Sequence, residues 1–173
     1  MTVTVRHVPS LAPEVATFKH AMRRIVGGVS VITTGAGESR TGLTVTSAHS
    51  LSIDPPTMLV CVNRVASAWP VIRREGHFCV NVLDARHQHV ADRFTGRDGA
   101  KGADRYEGAR WRQFATGAFG LEDALAVIDC AVEEIIERHS HGIIIGAVRA
   151  IHVGTGGEAL VYGHGRYQTL TLD

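Results

Sequence analysis

The run Thr44-Val45-Thr46-Ser47-Ala48-His49-Ser50 crowds small hydroxyl side chains into one short segment. On a single strand, alternation puts Thr44, Thr46, Ala48 and Ser50 on one face and Leu43 and Val45 on the other. Such a row offers hydrogen bonds beside a surface that bulky side chains would block, and lets a planar ligand edge approach the backbone. An ordinary solvent-facing strand accounts for the same residues, because threonine is common there. His139-Ser140-His141 sets two imidazoles on one side of a strand, which could bind metal. No acidic or histidine partner has the spacing of a third ligand, so no metal site is expected; a pocket-lining histidine or an exposed pair are the readings left. His87-Gln88-His89 falls in a helical pattern, where residues two apart diverge. No Gly-x-Ser-x-Gly elbow occurs, and Cys61, Cys79 and Cys130 have no histidine partner nearby in sequence. Glu133-Glu134 reads as a strand end facing both ways. Gly163-His164-Gly165-Arg166-Tyr167-Gln168 lacks the third glycine of a dinucleotide fingerprint and follows a late strand. The glycine-rich run at 96–102 has no Gly-Lys-Ser/Thr, so it is no P-loop. The lack of apparatus for hydrolysis fits chemistry done by a bound cofactor.

The elements that must position these residues follow from periodicity. A helix fits 13–25, with Val15, Phe18, Met22 and Ile25 on one face, Lys19, Arg23 and Arg24 turned away, and Gly27-Gly28 ending it. A β-branched strand at 29–34 leads through a turn-rich stretch at 35–39 to a returning strand at 42–50. Asp54-Pro55-Pro56 marks a rigid corner before a strand at 57–62. A short helix at 68–75 ends on Gly76, a strand covers 77–83, and a helix at 86–95 aligns Val90 with Phe94. The polar loop at 96–108 is long for a compact domain, which points to function. Strands follow at 126–138 and 142–152, then a hairpin turn at Gly154-Thr155-Gly156-Gly157 leading to 160–162. Many strands with few helices predict a closed antiparallel barrel with helices at its rim. Residues 1–12 read as a loose arm and 13–173 as one domain.

With 45% hydrophobic and 20% charged residues and a net charge of +1, the 173-residue chain has ordinary globular composition and no field favouring nucleic acid or an anionic membrane. The pairs Arg23-Arg24 and Arg73-Arg74 read as solvated helix faces. Three cysteines, each in an apolar run and none in a CxxC pair, fit buried reduced thiols of a cytoplasmic protein. Neither a signal peptide nor an apolar run long enough to span a membrane is visible.

In order, the segments 28–34, 42–52, Asp54-Pro55-Pro56, Val60-Cys61-Val62-Asn63, Ser67-Ala68-Trp69, 78–83, Ala91-Asp92-Arg93-Phe94, 141–148 and 160–167 resemble the flavin reductase family, across about 18–167. The best-known members feed reduced flavin to 4-hydroxyphenylacetate and phenol monooxygenases. The resemblance implies a mainly β fold, an FMN-binding split β-barrel of Greek-key antiparallel type with peripheral helices, holding FMN (or FAD) at a homodimer interface. By position, Thr44, Thr46, Ser47, Ala48 and Ser50 would line the isoalloxazine ring and ribityl chain, with His49 standing where many relatives carry an aromatic residue. Cys61, Val62 and Asn63 would approach from the adjacent strand. Ser67 would bond the flavin phosphate at the start of its helix, where free N–H groups and the dipole favour an anion. Phe94 and Lys101 would meet the phosphate side or an adenosine end. His141 would be the catalytic residue beside the nicotinamide, with Tyr167 near it; His139-Ser140 replaces the Gly-Asp that often precedes this histidine. The implied activity is NAD(P)H:flavin oxidoreduction, a hydride passing from NADH or NADPH to flavin N5. A partner oxygenase or a diffusible flavin acceptor would take the electrons. An FMN-dependent corrinoid reductase and a non-enzymatic flavin storage or sensing module are the alternatives.

Overall fold

A computed structural model describes residues 13–171. Helix α1 (Val15–Met22) precedes a two-residue strand β1 (Gly27–Gly28), then β2 (Ser30–Thr34), β3 (Thr41–Val45), β4 (Ala48–Ile53) and β5 (Pro56–Asn63). Helix α2 (Ala68–Glu75), β6 (His77–Val82) and α3 (Gln88–Thr95) follow. After short β7 (Trp111–Gln113) and β8 (Phe119–Leu121) comes the long hairpin of β9 (Ala126–Arg138) and β10 (His141–Val153). Strands β11 (Glu158–Gly163) and β12 (Arg166–Thr171) complete the described chain.

Seven strands form one antiparallel sheet in the order β3-β2-β6-β9-β10-β5-β4, and β1-β11-β12 form a second. The two edges of the large sheet, β3 and β4, are consecutive in sequence and separated by only Thr46 and Ser47. Three Cα–Cα steps span at most about 11 Å. The edges therefore meet at that corner, and the sheet must curl into a barrel split between β3 and β4.

Alternation along β2 and β6 explains the barrel's two-sided burial. Ile32, Phe78 and Val80 point inward with Val60, Val62, Cys130 and Ile144, while Val31 and Cys79 point outward into a second cluster with Leu83, Phe94 and Leu121. Strands covered on both faces read as continuous apolar runs. The inner core is closed by α2 through Trp69 and Ile72. A Cβ on Gly142 would collide with the Trp69 indole, so glycine there lets α2 lie flat on β10. The outer core is covered by α3 and the β7–β8 strap. Buried Asn81 holds that strap: its amide donates to the Val31 carbonyl at 2.9 Å and its oxygen accepts from the Leu121 N–H at 2.7 Å. Buried Asp129 is likewise satisfied by the Thr116 N–H at 2.8 Å and hydroxyl at 2.5 Å.

Several expectations are corrected. The strand expected over 42–50 is two strands at opposite edges, so Thr44 and Ala48 do not share a strand face. The first helix ends at Met22, and Gly27-Gly28 pairs with β11. The glycine turn at 154–157 is no hairpin; it carries the chain from the large sheet to the small one. Pro56 opens β5 rather than ending regular pairing, opposite Ile53. The loop at 96–108 contains a 3-10 turn, Gly102–Tyr106, anchored by the buried Tyr106, whose hydroxyl donates to the Thr41 carbonyl at 2.8 Å. Residues 1–12, the expected arm, lie outside the described residues.

Candidate functional site

The β3–β4 corner opens onto a groove. Thr44, Thr46, Thr95, Arg97, Tyr162 and Tyr167 line a pocket of about 230 Å³ on the outer face of β3. Past Thr46 and Tyr162 lies a larger cleft, about 580 Å³, walled by Phe18, Met22 and Ile25 of the α1 region, by His49, and by the His164-Gly165 turn. That turn explains the aromatic wall. His164 (φ 53°) and Gly165 (φ 82°) make a two-residue hairpin of the I′ kind, which sets Tyr162 directly opposite Tyr167. Their rings meet edge to face at 5.2 Å. Burial, then the Asp92 carboxylate bonded to its hydroxyl, raises the Tyr167 pKa, so this group stays a neutral phenol at physiological pH.

The hydroxyl residues divide by role. Thr44 donates to the Ala91 carbonyl at 2.6 Å, docking α3 against β3. Ser47 donates to the Cys61 carbonyl at 3.0 Å, tying the corner to β5. Thr46, between them, is exposed and shared by both parts of the groove. Cross-strand register then extends a row over the outer face: His49 opposite Leu59, Cys61 opposite Ile143, Asn63 opposite His141. Cys61 and Asn63 are two residues apart, so the corner and His141 lie roughly 7 Å from one another along the strand direction. His141 is exposed, and Ser140 Oγ lies 2.9 Å from its Nδ1. Ser67 stands at the N-terminus of α2 and its hydroxyl makes no capping bond. Because Trp69 rests on Gly142, that helix start is fixed beside the β10 strand that begins with His141.

Not all of the expected residues reach this surface. Val62 is fully buried in the inner core, and Phe94, 1% exposed, packs against Tyr106 and Trp111 at 5.2 and 5.5 Å. Neither side chain can touch a ligand; Phe94 instead fills the space that Gly42 leaves on β3. Ala48 is partly buried against the inner core, opposite Val60, while Ser50 is exposed opposite Met58. Lys101 is exposed at the start of the 3-10 turn, outside the groove lining. His139 and Ser140 form the β9–β10 turn, so the two imidazoles do not share a strand, and among the described residues no three His, Cys, Asp or Glu side chains gather as for a metal. Glu133 falls at a register shift opposite Ile145 and Gly146, which leaves both Glu133 and Glu134 facing out.

Sequence reading missed Arg97, Thr95 and Tyr162. Arg97 lies in the loop flagged by its length. Tyr162 becomes visible once His164-Gly165 is read as a I′ turn, since its partner in the hairpin is Tyr167.

A barrel whose split corner presents hydroxyl, aromatic and guanidinium groups around one groove is built to hold a flat ligand with a polar edge and an anionic end. That donor set fits a flavin: aromatic walls for a flat ring, a hydroxyl for its polar edge, and positive charge for a phosphate. The pattern of the flavin reductase like domain matches residues 22–171, and the chain belongs to that family. It is 36% identical over 170 residues to the FMN reductase (NADH) RutF 2 of Rhizobium rhizogenes, covering 98% of this chain and 97% of that one. The fold matches BorF, the flavin reductase component of a bacterial two-component tryptophan halogenase, with a TM-score of 0.84 and 30% identity over 92% of this chain and 100% of that one. It also matches nitrilotriacetate monooxygenase component B from Mycobacterium thermoresistibile, with a TM-score of 0.81 and 30% identity over 90% and 86%. Among the described residues no helix is long and apolar enough to cross a membrane.

Proposed function

We propose that this chain is an NADH-dependent flavin reductase that holds FMN in the groove at the β3–β4 corner and acts as a homodimer. The observation that carries the reading is the junction of Thr46, Tyr162, Tyr167 and Arg97 around one groove in a chain of this family. Bound flavin supplies a ring that takes a hydride from reduced nicotinamide and passes electrons on.

The protein's own part is binding and orientation. Thr46 and the backbone of 46–48 would bond the polar edge of the ring, and Ser47 and Thr44 would keep that backbone in place through their internal bonds. Ser67 and the free N–H groups of α2 would take the flavin phosphate, and Arg97 would add positive charge for a phosphate of either nucleotide. His141, its ring oriented by the contact of Nδ1 with Ser140, would bond the nicotinamide carboxamide and steady charge in the transition state. Reactive rings need stacking at roughly 3–3.5 Å, so positioning rather than acid–base chemistry sets the rate.

Dimer formation is supported by the outer face of β5, β10 and β9. Leu59, Cys61, Ile136, Ile143 and Ile145 are adjacent and half-buried and, among the described residues, lie outside both apolar cores, with His49, Asn63 and His141 at their border. A second copy on this face would bring its own side chains over the site. The reduced flavin would serve a partner oxygenase, FAD would be a further substrate, and three unpaired thiols fit the reducing cytoplasm. The test is NADH oxidation followed by nicotinamide absorbance with and without FMN. Turnover should depend on added FMN and fall about tenfold or more in His141→Ala. No FMN-dependent oxidation would reject the reading, and an unchanged rate in His141→Ala would remove that residue's role.

A further inference from the structure

A second pocket lies at the opposite end of β3 from the groove. Arg40 and Thr46 flank β3 at its two ends, six residues and roughly 20 Å apart. The pocket encloses about 370 Å³, walled by Tyr106, Trp111 and Phe119 and widened by the small side chains of Ala103 and Ala109. This is the size of a small-molecule site, for which roughly 300–1,000 Å³ is usual.

Its charge is distinctive. The Arg40 guanidinium stands 5.4 Å from the Tyr106 ring centroid and 5.8 Å from that of Phe119. Among the described residues no carboxylate lies within ion-pair distance of it. Among the described residues its Nη1 donates to the Gly37 carbonyl at 3.2 Å, Nε is buried without an acceptor, and Nη2 makes no bond. The aromatic walls offer faces but no anion: the Tyr106 hydroxyl is spent on the Thr41 carbonyl and the Trp111 N–H donates to the Tyr106 carbonyl at 2.9 Å. Glu107 is the one acid in the lining; it sits at the exposed rim, paired with Arg93 at 3.0 Å, so its charge is already met.

An unneutralised planar cation set into an aromatic box calls for a ligand that is flat, apolar and singly anionic at one end. We infer that this pocket binds a small aromatic carboxylate, its carboxylate on the Arg40 η-nitrogens and its ring laid against the half-buried Trp111 and Phe119 at the open mouth, since Tyr106 is buried and already in contact with Trp111 at 4.9 Å. The guanidinium fork matches a carboxylate in two parallel bonds, and ring contacts with Trp111 and Phe119 supply the selectivity for a flat ligand. The inference is independent of the flavin reading, since no residue of the pocket lines the groove.

Benzoate and its neutral isostere benzamide are the probes, and tryptophan fluorescence is the readout on the full chain with saturating FMN present. Only Trp111 and Trp69 contribute, and Trp69 is buried in the inner core. Benzoate should change the emission saturably; benzamide should bind at least about tenfold more weakly, and Arg40→Gln should weaken benzoate by a similar factor. Trp111→Phe should abolish the signal while FMN-dependent NADH oxidation stays as in the wild type. Equal binding of benzamide, no saturable response to benzoate, undiminished binding by folded Arg40→Gln, or loss of the benzoate response on adding FMN would each overturn the inference. If Arg40→Gln does not fold, the benzoate–benzamide comparison on the wild-type chain still decides.

Discussion

Replacing Gly142 with alanine probes how the fold places the start of α2 beside His141. A Cβ at this position would overlap the distal ring of the Trp69 indole, and Trp69 is only 6% exposed, held among Val62, Ile72 and Ile144. It has no open space into which to turn, so helix α2 must lift. Overpacking of this kind costs about 1–3 kcal/mol. Alanine returns about 0.4–1 kcal/mol by restricting the unfolded chain. The net loss is centred near about 1.3 kcal/mol and reaches at most about 2.6 kcal/mol, a central fall in Tm of roughly 3–5 °C for a chain of this size. Thermal unfolding by circular dichroism measures it. Gly28, where an added Cβ meets nothing within 4 Å, serves as the control and should gain about 0.4–1 kcal/mol as alanine. The decisive arm is a double-mutant cycle. In a Trp69→Leu background the overlap is gone, and Gly142→Ala should then cost nothing. Additive losses would refute the reasoning, because they would show that the two side chains do not compete for the same space.

Three further outcomes are expected. Phe94→Ala should cost about 3–5 kcal/mol in urea unfolding, as a fully buried aromatic does, while FMN affinity of the folded protein stays within about threefold of wild type; a large loss of affinity with little loss of stability would restore Phe94 to the ligand surface. Burial, with Arg86 adding to it, lowers the His87 pKa below its ordinary value. The unfolded chain then takes up its proton first, so stability present above about pH 6.5 is lost as pH falls from there toward the lower folded value. The urea midpoint should decline over that window, and His87→Phe should flatten the decline; an unchanged slope would contradict the assignment. Burial raises the Cys79 thiol and pushes that of Cys130 up to about 12, with the Asp129 charge adding to both. A thiol reagent at neutral pH should therefore modify at most Cys61 in the native chain and all three cysteines in denaturant, and labelling of Cys79 or Cys130 before unfolding would refute this.

What the sequence could reveal depended on whether the determining contact was local. The α2 boundaries were legible because Gly76 stops the helix and the strand turns are marked by glycine and proline. The strand at 29–34 was legible from its β-branched run, even though burial on both faces hides the usual alternation. The break at 46–47 was not legible, since no turn residue marks it; it exists because β3 and β4 pair with different partners, β2 and β5. The same long-range pairing hid the small sheet, in which β1 reaches across to β11. Thr46, His49 and Tyr167, which line the groove, were named through the family resemblance of their segments, whereas Arg97 and Thr95 join it only through the way α3 and its following loop pack on β3. Phe94 was misplaced for a related reason: it follows a helical pattern, and nothing local says that Gly42 on another element leaves room for its ring.

The most direct measurement of the central claim is a titration of FMN, followed by its own fluorescence, into the wild-type chain and into Thr46→Trp, which plugs the shared mouth of the groove. The account predicts saturable quenching by the wild type and a loss of affinity of about a hundredfold or more in the variant, with its unfolding curve unchanged because Thr46 is exposed. Equal FMN binding by both proteins would place the flavin elsewhere and contradict the account.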